Sequence, residues 1–110
     1  MFVRLFVNAK SETEARVVLE KVFRIFSPIL ENKEIKKIEP YWKMDEVYIV
    51  EITMLISENQ TESKLNRILE CIANKWIRFG DPVTELLASD TTENCIFMLE
   101  GIKMINIQFE

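Results

Sequence analysis

The first 28 residues change from strand-like alternation to a helical spacing of apolar positions. Residues 2–9 are rich in β-branched and aromatic side chains, which predicts a first β-strand. Ser11 and Glu14 then form the capping-box pattern that opens a helix. One apolar stripe follows and predicts an amphipathic helix that ends near Pro28: Ala15, Val18, Leu19, Val22, Phe23 and Phe26.

Residues 34–56 have the pattern of a β-hairpin with its turn at 44–46. The first arm, residues 35–43, is polar at several positions and contains Pro40, which predicts an edge or bulged strand because proline cannot donate to a ladder. The second arm alternates over its whole length and predicts a central strand, with one face formed by Tyr48, Val50, Ile52, Met54 and Ile56.

The second half of the chain predicts one more helix and the remaining strands. The polar residues 57–62 offer Asn59 or Thr61 as the helix N-cap. The helical stripe comprises Leu65, Ile68, Leu69, Ile72 and Trp76, and Gly80 and Pro82 follow its expected end. Residues 82–88 predict an extended segment, 89–94 a loop, 95–99 a strand or a helical turn, and the alternation after Gly101 a last strand.

This order, β-α-β-β-α-β-β, predicts an α+β fold. Its first six elements match the split β-α-β pattern of ferredoxin-like domains, to which a C-terminal strand is added. Two helices would then cover one face of a mainly antiparallel sheet. The 110 residues have the length of one domain, so we expect a single domain over 1–110.

The composition excludes several kinds of catalytic and binding chemistry. The chain has no histidine, and Cys71 and Cys95 are far apart, which argues against triad catalysis and zinc sites. Its two glycines, twenty-one residues apart, form no phosphate-binding loop, and residues 90–94 match a calcium loop poorly. We therefore expect no enzyme activity, no cofactor and no metal.

The same composition favours a cytoplasmic protein. No apolar run is long enough to span a membrane, and the first residues do not have the pattern of a signal peptide. The two cysteines are expected to be free thiols. A net charge of -4 argues against nucleic acid as the partner.

The acidic residues are concentrated near the C-terminus. Residues 1–78 hold 12 acids and 13 bases, whereas residues 79–110 hold six acids and one base, Lys103. An unbalanced acidic surface attracts and orients a basic protein partner, although such residues can also be merely solubilising. We expect the docking surface to include Asp81, Glu85, Asp90, Glu93 and Glu100.

Two aromatic residues, Tyr41 and Trp42, are neighbours on the proposed edge strand, so their side chains point to opposite faces. At least one is expected to be exposed, and exposed aromatic residues are common in protein interfaces. They are the second predicted part of the partner-binding surface. The alternative is that one packs under the helices and the other covers the far face of the sheet.

The chain resembles the small immunity proteins of bacterial polymorphic and contact-dependent toxin systems. The resemblance rests on size, acidity and the run of the C-terminal third, through residues 76–80, 86–90 and 105–107. It implies a cytosolic protein that binds one cognate toxin, often a basic nuclease, and blocks its active site or substrate surface. Such a protein is often a monomer until the toxin arrives.

The alternative is a ferredoxin-like small-molecule sensor or regulatory domain. It would be a homodimer formed through the open face of the sheet, with candidates Phe2, Phe6, Val47, Ile49 and Leu55. A third hypothesis is a subunit of an enzyme that has no catalytic activity of its own. The oligomeric state, monomer or homodimer, would separate the first two.

Overall fold

The structure is a computed structural model that describes residues 1–57 and 62–109. Over these residues the elements are β1 (Phe2–Asn8), α1 (Glu12–Phe26), β2 (Leu30–Pro40), β3 (Val47–Ile56), α2 (Glu62–Glu70), β4 (Ile77–Phe79), β5 (Glu85–Ser89) and β6 (Ile102–Gln108). The predicted N-cap of the second helix, Asn59 or Thr61, lies outside the described residues.

The strands form one antiparallel sheet in the order β2-β3-β1-β6-β5-β4. This confirms the predicted α+β fold. β3 lies between β1 and β2, as the split β-α-β pattern requires, and β6 lies beside β1. The sheet is extended beyond β6 by the β4–β5 hairpin, which precedes the last strand, so the strand order is compatible with the ferredoxin-like arrangement without reproducing it.

Both helices pack on one face of this sheet, as predicted. Alternate residues of the central strands face the helices; Leu5, for example, pairs with Val50 on one side and with Ile105 on the other. These side chains and the helix stripes belong to a single buried cluster. From the helices it includes Val18, Val22, Phe26 and Leu69, and from the residues just after α2 it includes Ile72. Leu65 and Trp76 pack against it partly buried.

Helix α1 begins and ends where its sequence indicates. The hydroxyl of Ser11 accepts the backbone N–H of Glu14 at 3.2 Å, and the helix ends at Phe26. The carboxylate of Glu14 accepts the backbone N–H of Lys10 at 2.6 Å, rather than that of the cap residue. The cap therefore also orders the residue that precedes it.

The second helix is shorter than predicted. α2 ends at Glu70, and Trp76 lies beyond it in the connection to β4. The indole N–H of Trp76 donates to the carbonyls of Leu69 at 3.0 Å and Ala73 at 3.2 Å. The Leu69 carbonyl also accepts the backbone N–H of Ala73 at 3.1 Å, so Trp76 adds a further donor at the end of the helix without belonging to it. Gly80 lies in the β4–β5 turn with φ of +90°, not at a helix end.

The long edge strand β2 begins at Leu30, earlier than predicted, and ends at Pro40. Its edge position is confirmed. Two register shifts interrupt its pairing with β3, and most of its side chains are exposed. The extended segment 95–99 makes one bridge, between Ala73 and Phe97, and is neither a helical turn nor a full strand.

Candidate protein-binding surface

Four chain segments meet where β1 and β5 end and where β3 and β6 begin. The backbone N–H of Asn8 donates to the carbonyl of Gly101 at 2.8 Å, and that of Ala9 to Glu46 at 2.9 Å. The N–H of Tyr41 donates to Val47 at 2.8 Å. We call this surface the acidic end and define it as residues 9–14, 41–46, 71–76 and 90–101.

The last two of these segments are joined by their own hydrogen bonds. The side chain of Asn74 accepts the backbone N–H of Ile96 at 2.6 Å and donates to the carbonyl of Asn94 at 3.1 Å. The backbone N–H of Met98 donates to Ile72 at 2.8 Å. The loop after β5 is therefore fixed against the residues that follow α2.

The acidic end has an excess of acidic residues, two of which, Glu12 and Asp90, pair with Arg16 and Lys103 just outside its segments. Of the 18 acidic and 14 basic residues of the chain, seven and three lie in these segments, which leaves eleven of each elsewhere. The three bases are Lys10, Lys43 and Lys75. The acids are Glu12, Glu14, Asp45, Glu46, Asp90, Glu93 and Glu100.

Large apolar side chains are exposed on the same surface. Between residues 95 and 99 the chain alternates, so that Cys95, Phe97 and Leu99 pack against the core. Ile96 and Met98 point the other way and are 60% and 55% exposed. Trp42 is 83% and Met44 41% exposed. Each of these two pairs lies beside acidic residues in the sequence, and exposed apolar residues with polar neighbours are typical of protein interfaces.

The predicted acidic residues do not all lie together. Glu85 begins β5 opposite Gln108, and Asp81 lies in the preceding turn. At about 3.3 Å per residue, Glu85 is separated from Asp90 by the length of β5. Glu85 also accepts a hydrogen bond from the amide of Asn106 at 3.0 Å. Asp81 and Glu85 therefore lie at the opposite end of the sheet from the other three.

Asp90 is neutralised locally by Lys103, the one base of the acidic C-terminal run. Its carboxylate lies 3.0 Å from the ammonium of Lys103, because the backbone N–H of Asp90 extends the β5–β6 pairing to the Lys103 carbonyl. In the part of the chain that the structure describes, no lysine or arginine lies within ion-pair distance of the carboxylate of Glu93 or Glu100, although the ammonium of Lys75 donates to the backbone carbonyl of Glu93 at 3.0 Å. These two acids, both exposed, are the unpaired part of the predicted segment.

Tyr41 and Trp42 follow β2 instead of lying on it, because the strand ends at Pro40. Tyr41 is half-buried, with its ring edge-on to Phe6 at a centroid distance of 5.1 Å. Trp42 contacts Tyr41 at 6.3 Å, and the ammonium of Lys43 lies 4.9 Å from its ring centre. The expectation that one of the pair is exposed therefore holds for Trp42.

The face of the sheet opposite the helices carries a mixed set of side chains. Arg4 and Lys37 both lie near the carboxylate of Glu51, at 2.7 and 3.9 Å. Phe2, Phe6 and Ile49 are half-buried, and Leu55 is exposed. Val47, which the dimer reading placed on the open face, is buried.

The acidic end contains residues that sequence reasoning missed. The sequence pattern predicts only a turn at Asp45 and Glu46, because their proximity to residues 8–10 and 101 depends on strand pairing. Ile96 and Met98 had a usable signal: apolar residues fill 95–99 without a break, and an extended segment must point every second one away from the core.

Neither a metal-binding group nor a membrane-spanning helix is found among the described residues. Over 1–57 and 62–109, no three cysteine or carboxylate side chains are grouped to hold a metal ion. No helix in these ranges is long and apolar enough to cross a membrane. Cys71 and Cys95 are free thiols, the first exposed and the second half-buried.

Comparison with known proteins adds no relative to this picture. No protein-family model, curated protein sequence or solved structure matches the chain. A proposed function therefore rests on the surface of the protein itself, where the acidic end combines an excess of acids with exposed apolar side chains.

Proposed function

We propose that this protein is a non-catalytic binding module that captures a basic protein partner with its acidic end. One observation carries the proposal: an excess of acidic residues lies at this end, together with four exposed apolar side chains. Acidic residues draw a basic surface in and orient it. Apolar side chains release water on contact and supply affinity.

The size of the surface suits a protein better than a small ligand. The ends of β2 and β5 are separated by four strand spacings, or about 19 Å at about 4.8 Å each. A standard interface covers about 800 Å² on each partner, and a patch of that area has a width comparable to this separation. The acidic excess opposes nucleic acid and anionic membranes, because both are negatively charged.

Within this class we propose an immunity protein of the bacterial cytoplasm that neutralises one cognate toxin. A toxin that acts on nucleic acid must present a basic substrate surface. The acidic end is complementary to such a surface and would cover it. This agrees with the resemblance in size and acidity to immunity proteins.

The test is neutralisation in living cells. Basic proteins encoded beside the gene are expressed in a bacterial host, with and without this chain, and growth is measured. We expect rescue for one of them and a stable complex in size-exclusion chromatography. Failure to rescue growth against every such protein, with no complex formed, would contradict the proposal.

Charge-reversal variants make this test specific to the surface. Glu93→Lys with Glu100→Lys changes the acidic end, whereas Glu31→Lys with Asp81→Lys makes the same change of net charge at exposed positions elsewhere. We expect rescue to be lost only with the first pair. Equal loss with both pairs would point to net charge alone rather than to the acidic end.

A dimeric ferredoxin-like sensor remains the second candidate. The face of the sheet away from the helices favours it, since Phe2, Phe6 and Ile49 are only half-covered and Leu55 is 61% exposed. The ion pairs of Glu51 with Arg4 and Lys37 cross this face, and Val47 is buried, which leaves less apolar area for a dimer. Sedimentation equilibrium decides: a tight dimer favours the sensor, and a monomer favours the binding module.

A further inference from the structure

The most exposed large apolar residue of the described chain is Trp42, at 83%. A tryptophan side chain presents a large apolar area, and Met44 in the same connection is also exposed, at 41%. Exposed apolar side chains that are grouped in this way mark interaction sites. Its neighbour Tyr41 is half-buried, so the exposure belongs to Trp42 rather than to the whole connection between β2 and β3.

The ring of Trp42 contacts that of Tyr41, which is itself held against β1 and β3. Tyr41 is tied to β3 by its N–H bond to Val47 at 2.8 Å, and its ring lies edge-on to Phe6 of the central strand β1. Trp42 contacts Tyr41 at an interplanar angle of 62°, and the ammonium of Lys43 lies 4.9 Å from its ring centre. An aromatic residue held in this way loses little conformational entropy on binding.

The charges around Trp42 indicate what covers it. Asp45 and Glu46 are exposed in the same connection, and no lysine or arginine of the described residues lies within ion-pair distance of either. With Lys43, whose ammonium lies over the Trp42 ring, the connection has one more acidic than basic residue. A second copy of this chain would bring two acidic ends together, which like-charge repulsion opposes. A basic partner is attracted to the same place.

We propose that Trp42 is the affinity anchor for the basic protein partner: it enters an apolar pocket of that partner, beside a lysine or arginine that pairs with Asp45 or Glu46. The inference rests on the proposed function and assigns separate roles within one surface. Charges at the rim act mainly on the association rate, whereas a buried aromatic anchor acts on dissociation.

Model peptides test the chemistry before a natural partner is known. The probes are a peptide of alternating lysine and leucine, one of lysine and serine, and one of glutamate and leucine. The Trp76→Phe variant, once its fold is confirmed by circular dichroism, leaves Trp42 as the sole tryptophan. We expect only the lysine–leucine peptide to cause a saturable blue shift of its emission.

Calorimetry with variants separates the anchor from the charges. Trp42→Ala should weaken binding of the lysine–leucine peptide about tenfold or more, to the level of the lysine–serine peptide. Leu55→Ala, which removes another exposed apolar side chain from the opposite end of the sheet, should leave the affinity unchanged. Trp42→Phe should have an intermediate effect.

Three results would overturn the inference. They are equal affinity for the lysine–leucine and lysine–serine peptides, unchanged affinity after Trp42→Ala, and a blue shift that grows with protein concentration alone, which would mean that a second copy covers Trp42. Binding of the cognate partner distinguishes a failure of this inference from a failure of the proposed function. If the cognate complex forms normally with Trp42→Ala but not with Glu93→Lys/Glu100→Lys, the anchor is wrong and the binding module stands.

Discussion

On β3, the neighbouring residues Ile52 and Thr53 face opposite sides of the sheet. Ile52 is fully buried between the sheet and the helices, whereas Thr53 is half-exposed on the other face. We expect Ile52→Ala to lower the free energy of unfolding by about 2–5 kcal/mol and Thr53→Ala by less than about 1 kcal/mol. Urea denaturation of both variants measures this, and similar losses would contradict a sheet covered on one face only.

Gly101 is constrained by its backbone and by a neighbour. Its φ is +97°, a conformation that side chains disfavour, and a Cβ there would lie 2.7 Å from Cγ2 of Val18 on α1. Gly101→Ala should therefore destabilise the fold by about 2–4 kcal/mol, from crowding and backbone strain together. The same change in a Val18→Ala background should cost less. Equal costs in both backgrounds, measured by thermal unfolding, would show that contact with Val18 is unimportant.

Single-residue burial was the most predictable property of the chain. The apolar stripe from Ala15 to Phe26 is buried as its spacing indicates, because periodicity reports which face of an element meets the core. The ion pair between Asp90 and Lys103 was not predictable in this way. It depends on the register of β5 against β6, which no local pattern contains.

At the scale of elements, the end of α2 depends on Trp76. Trp76→Phe keeps an aromatic ring but removes the indole N–H that donates to Leu69 and Ala73. We expect a loss of about 1–3 kcal/mol in stability, together with faster amide exchange over the last turn of α2. Trp42→Phe is the control and should leave both unchanged, because Trp42 is exposed. Unchanged exchange in Trp76→Phe would refute the capping role.

The early end of α2 shows why periodicity alone set the wrong boundary. Leu65, Leu69, Ile72 and Trp76 have helical spacing and all contact the core, yet the helix stops at Glu70. Beyond it, Ile72 and Asn74 bond to the segment 96–98. Hydrogen bonds to a segment so distant in sequence cannot be predicted from a local pattern. The three-residue strand β4 that follows could not be predicted for the same reason.

The exposed edge strand β2 is protected against pairing with other chains. It carries Lys33, Lys36 and Lys37, ends at Pro40, and is interrupted by two register shifts. Charged side chains, proline and bulges are the features by which natural sheets discourage edge-to-edge association. The other edge, β4, is only three residues long. The acidic end is thus a more plausible route to a partner than either edge of the sheet.

At the scale of the whole molecule, the fold assembles a charge distribution that the sequence showed only in part. The acidic run near the C-terminus is visible by counting residues, and it contributes Asp90, Glu93 and Glu100 to the acidic end. Asp45, Glu46 and Glu14 join them because the β2–β3 connection and the start of α1 meet at the same end of the sheet. Asp81 and Glu85 leave the group for the same topological reason.

This asymmetry can be measured without any partner. A protein with an excess of acids at one end should bind an anion exchanger through that end, because the electrostatic potential there is more negative than over the rest of the surface. Glu93→Lys with Glu100→Lys should therefore elute at markedly lower salt than Glu31→Lys with Asp81→Lys, although both pairs change the net charge from -4 to 0. Coincident elution, with both variants folded by circular dichroism, would mean that retention follows net charge alone. The difference in retention between the two variants should shrink at high ionic strength, because salt screens charges at exposed positions. A difference that does not shrink would also contradict the prediction.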